Sequence, residues 1–256
     1  RDNDINDINM DMMYGLPNQT VDMVAQETDM AIGLKPVRVA LFGYAHVPWM
    51  KSHMKMIDED ALPDADERWK QFEVASKKFI DAGYIAVGLD HFALPDDEMA
   101  VALESNALHR NFQGYTADSA PAMLGFGASA IGHLPQGYIQ NASPLKEYRD
   151  TVSGGEFAIA RGFALAPEDR LRSEIIERLM CDLAVDLDEV AKRHNADVTM
   201  FIPEMAKLTD MANDGIVTIG NNKIQVTETG RPFVRLVAAA FDAYLSQGKA
   251  RHSRAV

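Results

Sequence analysis

The stretch "VRVALFGYAH" at residues 37–46 leaves the chain few options, because it is apolar almost without interruption and rich in β-branched and aromatic side chains. A strand of that kind belongs where both faces are covered, as in a parallel sheet flanked by helices. Its surroundings agree. "INMDMMYGLP" at 8–17 reads as an earlier strand closed by Gly15 and Pro17, and Thr20 offers an N-cap for an amphipathic helix over 21–33. "DADERWKQFEVASKKFIDAG" at 64–83 sets Trp69, Phe72, Val74, Ala75 and Phe79 at helical spacing, with Gly83 where the helix should stop. "YIAVGLDHFALP" at 84–95 reads as a third strand. Strands alternating with helices predict βαβ units with right-handed crossovers and a parallel sheet. Three strands are too few to close a barrel, so they are expected to be part of one or of an open sheet. The chain opens at Arg1 and runs almost at once into its first strand, as a sequence entered partway through a fold does.

Beyond residue 100 the pattern changes. Residues 106–142 read as a long irregular region with many glycines, and loops of that length in compact domains tend to carry function. From about 145 the text is mainly helical, through "SPLKEYRDTVSGG", "APEDRLRSEIIERLMCDLAV", "DLDEVAKRHN" and "FIPEMAKLTDMANDG". Two short strands then flank Asn221–Asn222 in "IVTIGNNKIQVTETG", and a last helix is predicted over 231–247. Two domains follow, an α/β part over 1–142 and a helical C-terminal part over 143–256. Helices followed by a hairpin resemble a winged-helix module. A formal net charge of -13 opposes nucleic acid as a partner, so a packing role is expected for it.

No apolar run approaches the roughly 20 residues that span a bilayer, and no basic segment leads into an apolar one at the start, so neither a membrane partner nor secretion is expected. The single cysteine, Cys181, rules out an intrachain disulfide and a thiolate-built cluster or zinc site within the chain. Ligands of parallel α/β folds sit beyond the carboxyl ends of strands. Those exits are Tyr14-Gly15-Leu16-Pro17, Gly43-Tyr44-Ala45-His46 and Asp90-His91-Phe92. His46, Asp90, His91 and His109 are of metal-binding type, but they lack ligand spacing and read more plainly as hydrogen-bonded histidines. "GASAIG" at 127–132 is not G-x-S-x-G, and the glycines of "LGFGASAIG" at 124–132 suit a phosphate loop or simply a tight turn. "LHRNFQGYT" at 108–116 gathers groups that would suit a flat, carboxylate-bearing or adenine-bearing ligand. Arg110 can grip a carboxylate, Asn111 and Gln113 can hydrogen-bond, and Phe112 and Tyr115 offer flat faces.

Taken in order, "YGLPNQT" (14–20), "FGYAHVP" (42–48), "GLDHFALPDDEMA" (88–100), "LHRNFQGYT" and "LGFGASAIG" resemble the oxygen-independent coproporphyrinogen III oxidase family of haem biosynthesis. "ARGFALAPEDRLRSEIIERLMC" (160–181) is similar to the start of that family's C-terminal domain, so the resemblance spans essentially the whole chain. It implies an α/β radical S-adenosylmethionine (SAM) enzyme. The fold would be an incomplete β/α barrel followed by a mainly helical C-terminal domain with a small winged-helix-like β-hairpin. The family's [4Fe-4S] cluster sits on an N-terminal C-x-x-x-C-x-C motif absent here, so the chain is expected to correspond to the C-terminal portion and to be inactive alone. By the same resemblance Asp11, Ala45 and Ile131 match positions that touch SAM. Phe112 and Gln113 match the region of a second SAM or of the substrate.

The reaction implied is oxidative decarboxylation. A 5'-deoxyadenosyl radical takes hydrogen from a propionate β-carbon, carbon dioxide leaves, an electron passes to an unidentified acceptor and a vinyl group remains. Twice over, this turns coproporphyrinogen III into protoporphyrinogen IX. Arg110 and Arg161 are the inferred holders of propionate carboxylates, because a guanidinium fork fits that geometry. A cytoplasmic monomer is expected for the complete enzyme. Two other readings stand beside this one. The related radical SAM haem chaperone carries an asparagine followed by a Tyr-Trp pair where this chain has "RNFQGY", and a non-catalytic interaction fragment is the third.

Overall fold

The structure, a computed structural model, describes residues 3–245. The chain forms two compact units, one of residues 3–106 with 243–245 and one of residues 107–242. The boundary drawn at 142 from the sequence falls inside the second unit.

In the first unit β1 (Asn9–Tyr14), α1 (Val21–Gly33) and β2 (Arg38–Gly43) make a βαβ crossover. β1 and β2 pair in parallel from Asn9↔Arg38 to Tyr14↔Gly43. The Thr20 side chain accepts the Met23 N–H and caps α1. Val39, Ala40 and Leu41 are buried in succession, as the unbroken apolar run requires. β1 lies at the sheet edge, and its exposed Asn9, Asp11 and Met13 alternate with part-buried Met10 and Met12. α2 (Ala65–Asp81) starts on the Asp64 cap. It ends in a Schellman pattern, with Tyr84 N–H on Phe79 O at 3.0 Å, Gly83 N–H on Ile80 O at 2.9 Å, and the Phe79 and Tyr84 rings in edge contact. Phe79 also stacks on Phe92 at 5.1 Å.

The third strand is not one strand. Gly88, at φ +58°, turns the chain back, so that β3 (Ile85–Val87) and β4 (His91–Ala93) form a hairpin. β4 then pairs antiparallel with β2, giving the order β1-β2-β4-β3, so only the β1–β2 pair is parallel. α3 (Glu98–Glu104), capped by Asp97, follows.

A buried amide network anchors the exit of β1. The fully buried Gln71 accepts the Gly15 N–H at 2.9 Å and donates to Gln19 O at 2.6 Å. The buried Gln19 in turn accepts the Leu16 N–H at 3.1 Å and donates to Met13 O and Glu27. Beside it, Arg68 lies over the Tyr14 ring and donates to Tyr44 O at 2.9 Å, linking the ends of β1 and β2.

The second unit is richer in strands than its sequence suggested. The region expected to be irregular contains the hairpin β5 (His109–Asn111) and β6 (Gly114–Thr116), then β7 (Ile131–Leu134) and β8 (Gly137–Asn141). After α4 (Leu145–Ser153), β9 (Ile159–Ala164) returns antiparallel to β8 and completes a three-stranded sheet. The helical part comprises α5 (Pro167–Asp182), α6 (Leu187–Arg193) after the short β10 (Ala184–Asp186), α7 (Ile202–Lys207) and α8 (Thr209–Asn213). β11 (Val217–Gly220) and β12 (Lys223–Val226) turn through Asn221 and Asn222 at φ +50° and +57°, as a type I′ turn requires, and β10 adds a third strand to them. Of the helix expected over 231–247, Arg231–Phe233 is a 3-10 turn and α9 covers Val234–Ala239; residues 246–247 lie outside the described residues. Leu171, Ile175, Leu179, Phe201, Ile224 and Val237 are among the buried side chains of this unit.

Gln71 is the polar group whose removal tests the β1 anchor. Gln71→Leu strands the Gly15 N–H and the Gln19 carbonyl in the interior and is expected to lower unfolding free energy by about 1–3 kcal/mol in urea titrations. An unchanged midpoint would show that the network carries no stability.

Candidate functional site

The segment "LHRNFQGYT" is a tight hairpin whose two-residue tip is Phe112–Gln113. Few of its residues favour strands, so it owes its shape to ties with α5. Glu177 Oε1 accepts both the His109 ring at 3.1 Å and the Arg110 backbone N–H at 3.3 Å. The buried Tyr115 hydroxyl donates to Met180 O at 3.0 Å, and Arg178 donates to the carbonyl of the fully buried Leu108 at 3.1 Å. Asn111 Oδ1 accepts the Gln113 N–H at 2.8 Å and tightens the tip.

The hairpin forms one side of an open cavity of about 570 Å³, lined by Arg110, Phe112, Thr116, Met123, His133 and Tyr138 among others. One side is aromatic. His133 stacks on Tyr138 with centroids 4.7 Å apart, and Phe112 meets Tyr138 edge-on at 5.2 Å. Arg110 lies over the Tyr115 ring at 5.4 Å and makes no ion pair among the described residues. That absence matters in a chain with 38 acidic and 25 basic side chains, where Arg38, Arg172, Arg178 and Arg193 are each held by a carboxylate. The cavity therefore combines flat apolar faces with a guanidinium that has kept its donors for something else.

The floor of this region is the β7–β8–β9 sheet. Gly137 lets β9 approach β8 closely, because a Cβ there would collide with the Phe163 carbonyl. The glycine loop at 124–132 is a packed turn rather than a phosphate cradle. Its Gly127 N–H goes to the Tyr148 hydroxyl, its Ser129 N–H to Ala142 O, and its Gly125 and Gly127 carbonyls to the Asn141 side chain.

The residues singled out in the sequence divide between the units. Arg110 and Phe112 line the cavity, whereas Gln113 projects at the exposed hairpin tip and is not part of the lining. Ile131 begins β7, and Arg161 lies on β9 opposite Gln140. Asp11 and Ala45 belong to the first unit. Asp11 is exposed on β1 beside Asn9, and Ala45 is exposed just past β2. The histidines considered for metal binding are hydrogen-bonded to their own separate partners. His91 meets Asp90 at 2.7 Å, His46 bridges Tyr44 and Glu59, and His109 meets Glu177. No group of three or more potential metal ligands occurs among the described residues. His133, Tyr138 and Glu177 escaped the sequence reading. The signal that could have found the first two is the alternation in "IGHLPQGYIQ" around Pro135-Gln136-Gly137.

Residues 165–233 match the family described as the HemN C-terminal domain. Over 97% of its length the chain is 47% identical to an oxygen-independent coproporphyrinogen III oxidase of Bradyrhizobium diazoefficiens, and over its full length it is 40% identical to one of Paracoccus denitrificans. The chain is a relative of the oxygen-independent coproporphyrinogen III oxidases. It spans little more than half of these relatives, 55% and 56% of their lengths. A solved coproporphyrinogen III oxidase (HemN) from Escherichia coli, described as a radical SAM enzyme, superposes with a TM-score of 0.88 at 35% identity, over 93% of this chain and 55% of that one. The fold is accordingly α/β and matches that of part of the Escherichia coli enzyme.

The iron–sulfur cluster that coproporphyrinogen oxidases of this kind imply finds no seat among the described residues. Cys181 is fully buried in α5, and burial, helped by the negative charge of Glu177, pushes its thiol up to about 12. Such a thiol is a packing group rather than a ligand. Alkylation by iodoacetamide at pH 8 is expected to be slow in the folded chain and fast in denaturant. Equal rates in the two states would refute this assignment.

Proposed function

We propose that this chain serves an oxygen-independent coproporphyrinogen III oxidase acting in the cytoplasm. Such an enzyme converts two propionates of coproporphyrinogen III to vinyl groups and passes electrons to an acceptor outside the chain. The similarity along the whole chain supports the reading, and one structural observation carries it. A guanidinium without a carboxylate partner among the described residues, Arg110, lines a cavity walled also by Phe112, His133 and Tyr138. A tetrapyrrole is a flat apolar ring fringed by carboxylates, and these groups match its two parts.

Each residue then has a task. Phe112 and Tyr138 offer the ring an edge and a face, and Arg110 receives a propionate carboxylate. Glu177 holds Arg110 in place through the backbone of β5. SAM supplies the hydrogen-abstracting chemistry when bound. On the side of this chain Asp11, Ala45 and Ile131 are the residues proposed to touch it, with Phe112 and Gln113 beside a second SAM or the substrate. The exposed Asp11 carboxylate and the exposed Ala45 past β2 are accessible to such a ligand.

The decisive measurement is vinyl formation by the complete enzyme with its cluster reconstituted. Arg110→Ala is expected to lower kcat/KM at least about tenfold, the loss of one charge-assisted contact of roughly 1.5–3 kcal/mol. Unchanged turnover and affinity would remove Arg110 from the site. Stable haem binding without vinyl formation would favour the haem-chaperone reading.

A further inference from the structure

Directly opposed residues of an antiparallel pair share one face of the sheet. On the β7–β8–β9 sheet the register therefore sets Ile131, Gln140 and Arg161 in one row and His133, Tyr138 and Phe163 in the next. The second row supplies the aromatic wall that Phe112 meets. The first row contains a side-chain relay. Arg161 Nε donates to Gln140 Oε1 at 2.7 Å, and Gln140 Nε2 donates to Ser129 O at 2.9 Å. Ser129 is itself fixed, its N–H on Ala142 O at 2.9 Å.

This relay orients Arg161 without neutralising it. The contact to Gln140 occupies Nε, which leaves the two terminal nitrogens of the guanidinium as an end-on fork for a carboxylate. Arg161 is exposed and makes no ion pair among the described residues. A glutamate at position 140 would hold the arginine equally well but would satisfy its charge. A glutamine supplies the acceptor and no charge.

We propose that the Ile131–Gln140–Arg161 row is a second carboxylate station. Arg161 would be the binding side chain and Gln140 its positioning residue, and the row takes another propionate arm of the tetrapyrrole whose ring meets Phe112 and Tyr138. This rests on the function proposed above and adds to it. A ring with several carboxylates is oriented by two separated guanidinium groups, and Arg110 and Arg161 together select for tetracarboxylates over neutral analogues.

The test uses the full 256-residue chain, with coproporphyrin III and its tetramethyl ester as probes in fluorescence titrations. Thermal melts establish that each variant is folded. Arg161→Ala is expected to weaken coproporphyrin binding about tenfold or more, as loss of a charge-assisted pair does. Gln140→Ala should lose nearly as much, Gln140→Glu likewise, and the double Arg161→Ala/Gln140→Ala variant no more than Arg161→Ala alone. Ester binding should not move in any of them. Additive losses in the double variant would overturn the positioning role of Gln140. If Arg110→Ala and Phe112→Ala weaken coproporphyrin binding while Arg161→Ala does not, this proposal fails and the proposed function stands. If coproporphyrin binds without dependence on Arg110 or Phe112, or not at all, the proposed function fails and this station with it.

Discussion

One carboxylate oxygen, Glu177 Oε1, holds the candidate site in shape by accepting two N–H groups from neighbouring residues of β5. With the Tyr115 hydroxyl on Met180 O and Arg178 on Leu108 O, it makes α5 the rigid element to which the hairpin is fastened. A hairpin of three-residue strands has little stability of its own. Fastened at three points to a helix whose inner face is buried, it presents Phe112 and Arg110 in fixed positions. Rigid support of this kind is what lets a short polar segment act as a binding surface.

The first unit uses the same device with different groups. There the buried amides of Gln71 and Gln19 satisfy backbone groups where β1 turns into α1, and Arg68 ties the end of β1 to the segment after β2. Buried polar groups left unpaired would cost more than their hydrogen bonds return, so the network is complete or harmful. In both units the loops beyond the strands are shaped by side chains reaching from a helix. Charge follows the same economy. Arg38, Arg172, Arg178 and Arg193 of this acidic chain are held by carboxylates, whereas Arg110 and Arg161 make no ion pair among the described residues.

Much of the framework was legible in local sequence. Thr20 caps α1 as expected, α2 fills most of the segment read as helical over 64–83, Val39, Ala40 and Leu41 of β2 are buried in succession, and Asn221–Asn222 turns as its side chains allow. Those features depend on a few neighbouring residues. The third strand misled because its composition is that of one strand, while Gly88 permits a reversal that only pairing of β4 with β2 makes favourable. Residues 106–142 misled for a related reason. Their strands are only three to five residues long, so apart from the brief alternation in "IGHLPQGYIQ" little that is local distinguishes them from a loop.

By itself the sequence determined the succession of β1, α1, β2 and α2 in the first unit, the impossibility of an intrachain disulfide, the family resemblance, and the chemical types that could meet a flat carboxylated ligand. Only the tertiary structure decided which of those types meet. Glu177 is 68 residues from His109, and Arg161 is 21 from Gln140. Contacts across such separations come from strand register and helix docking, which are set by burial over whole elements and leave no periodic trace in the segments they join.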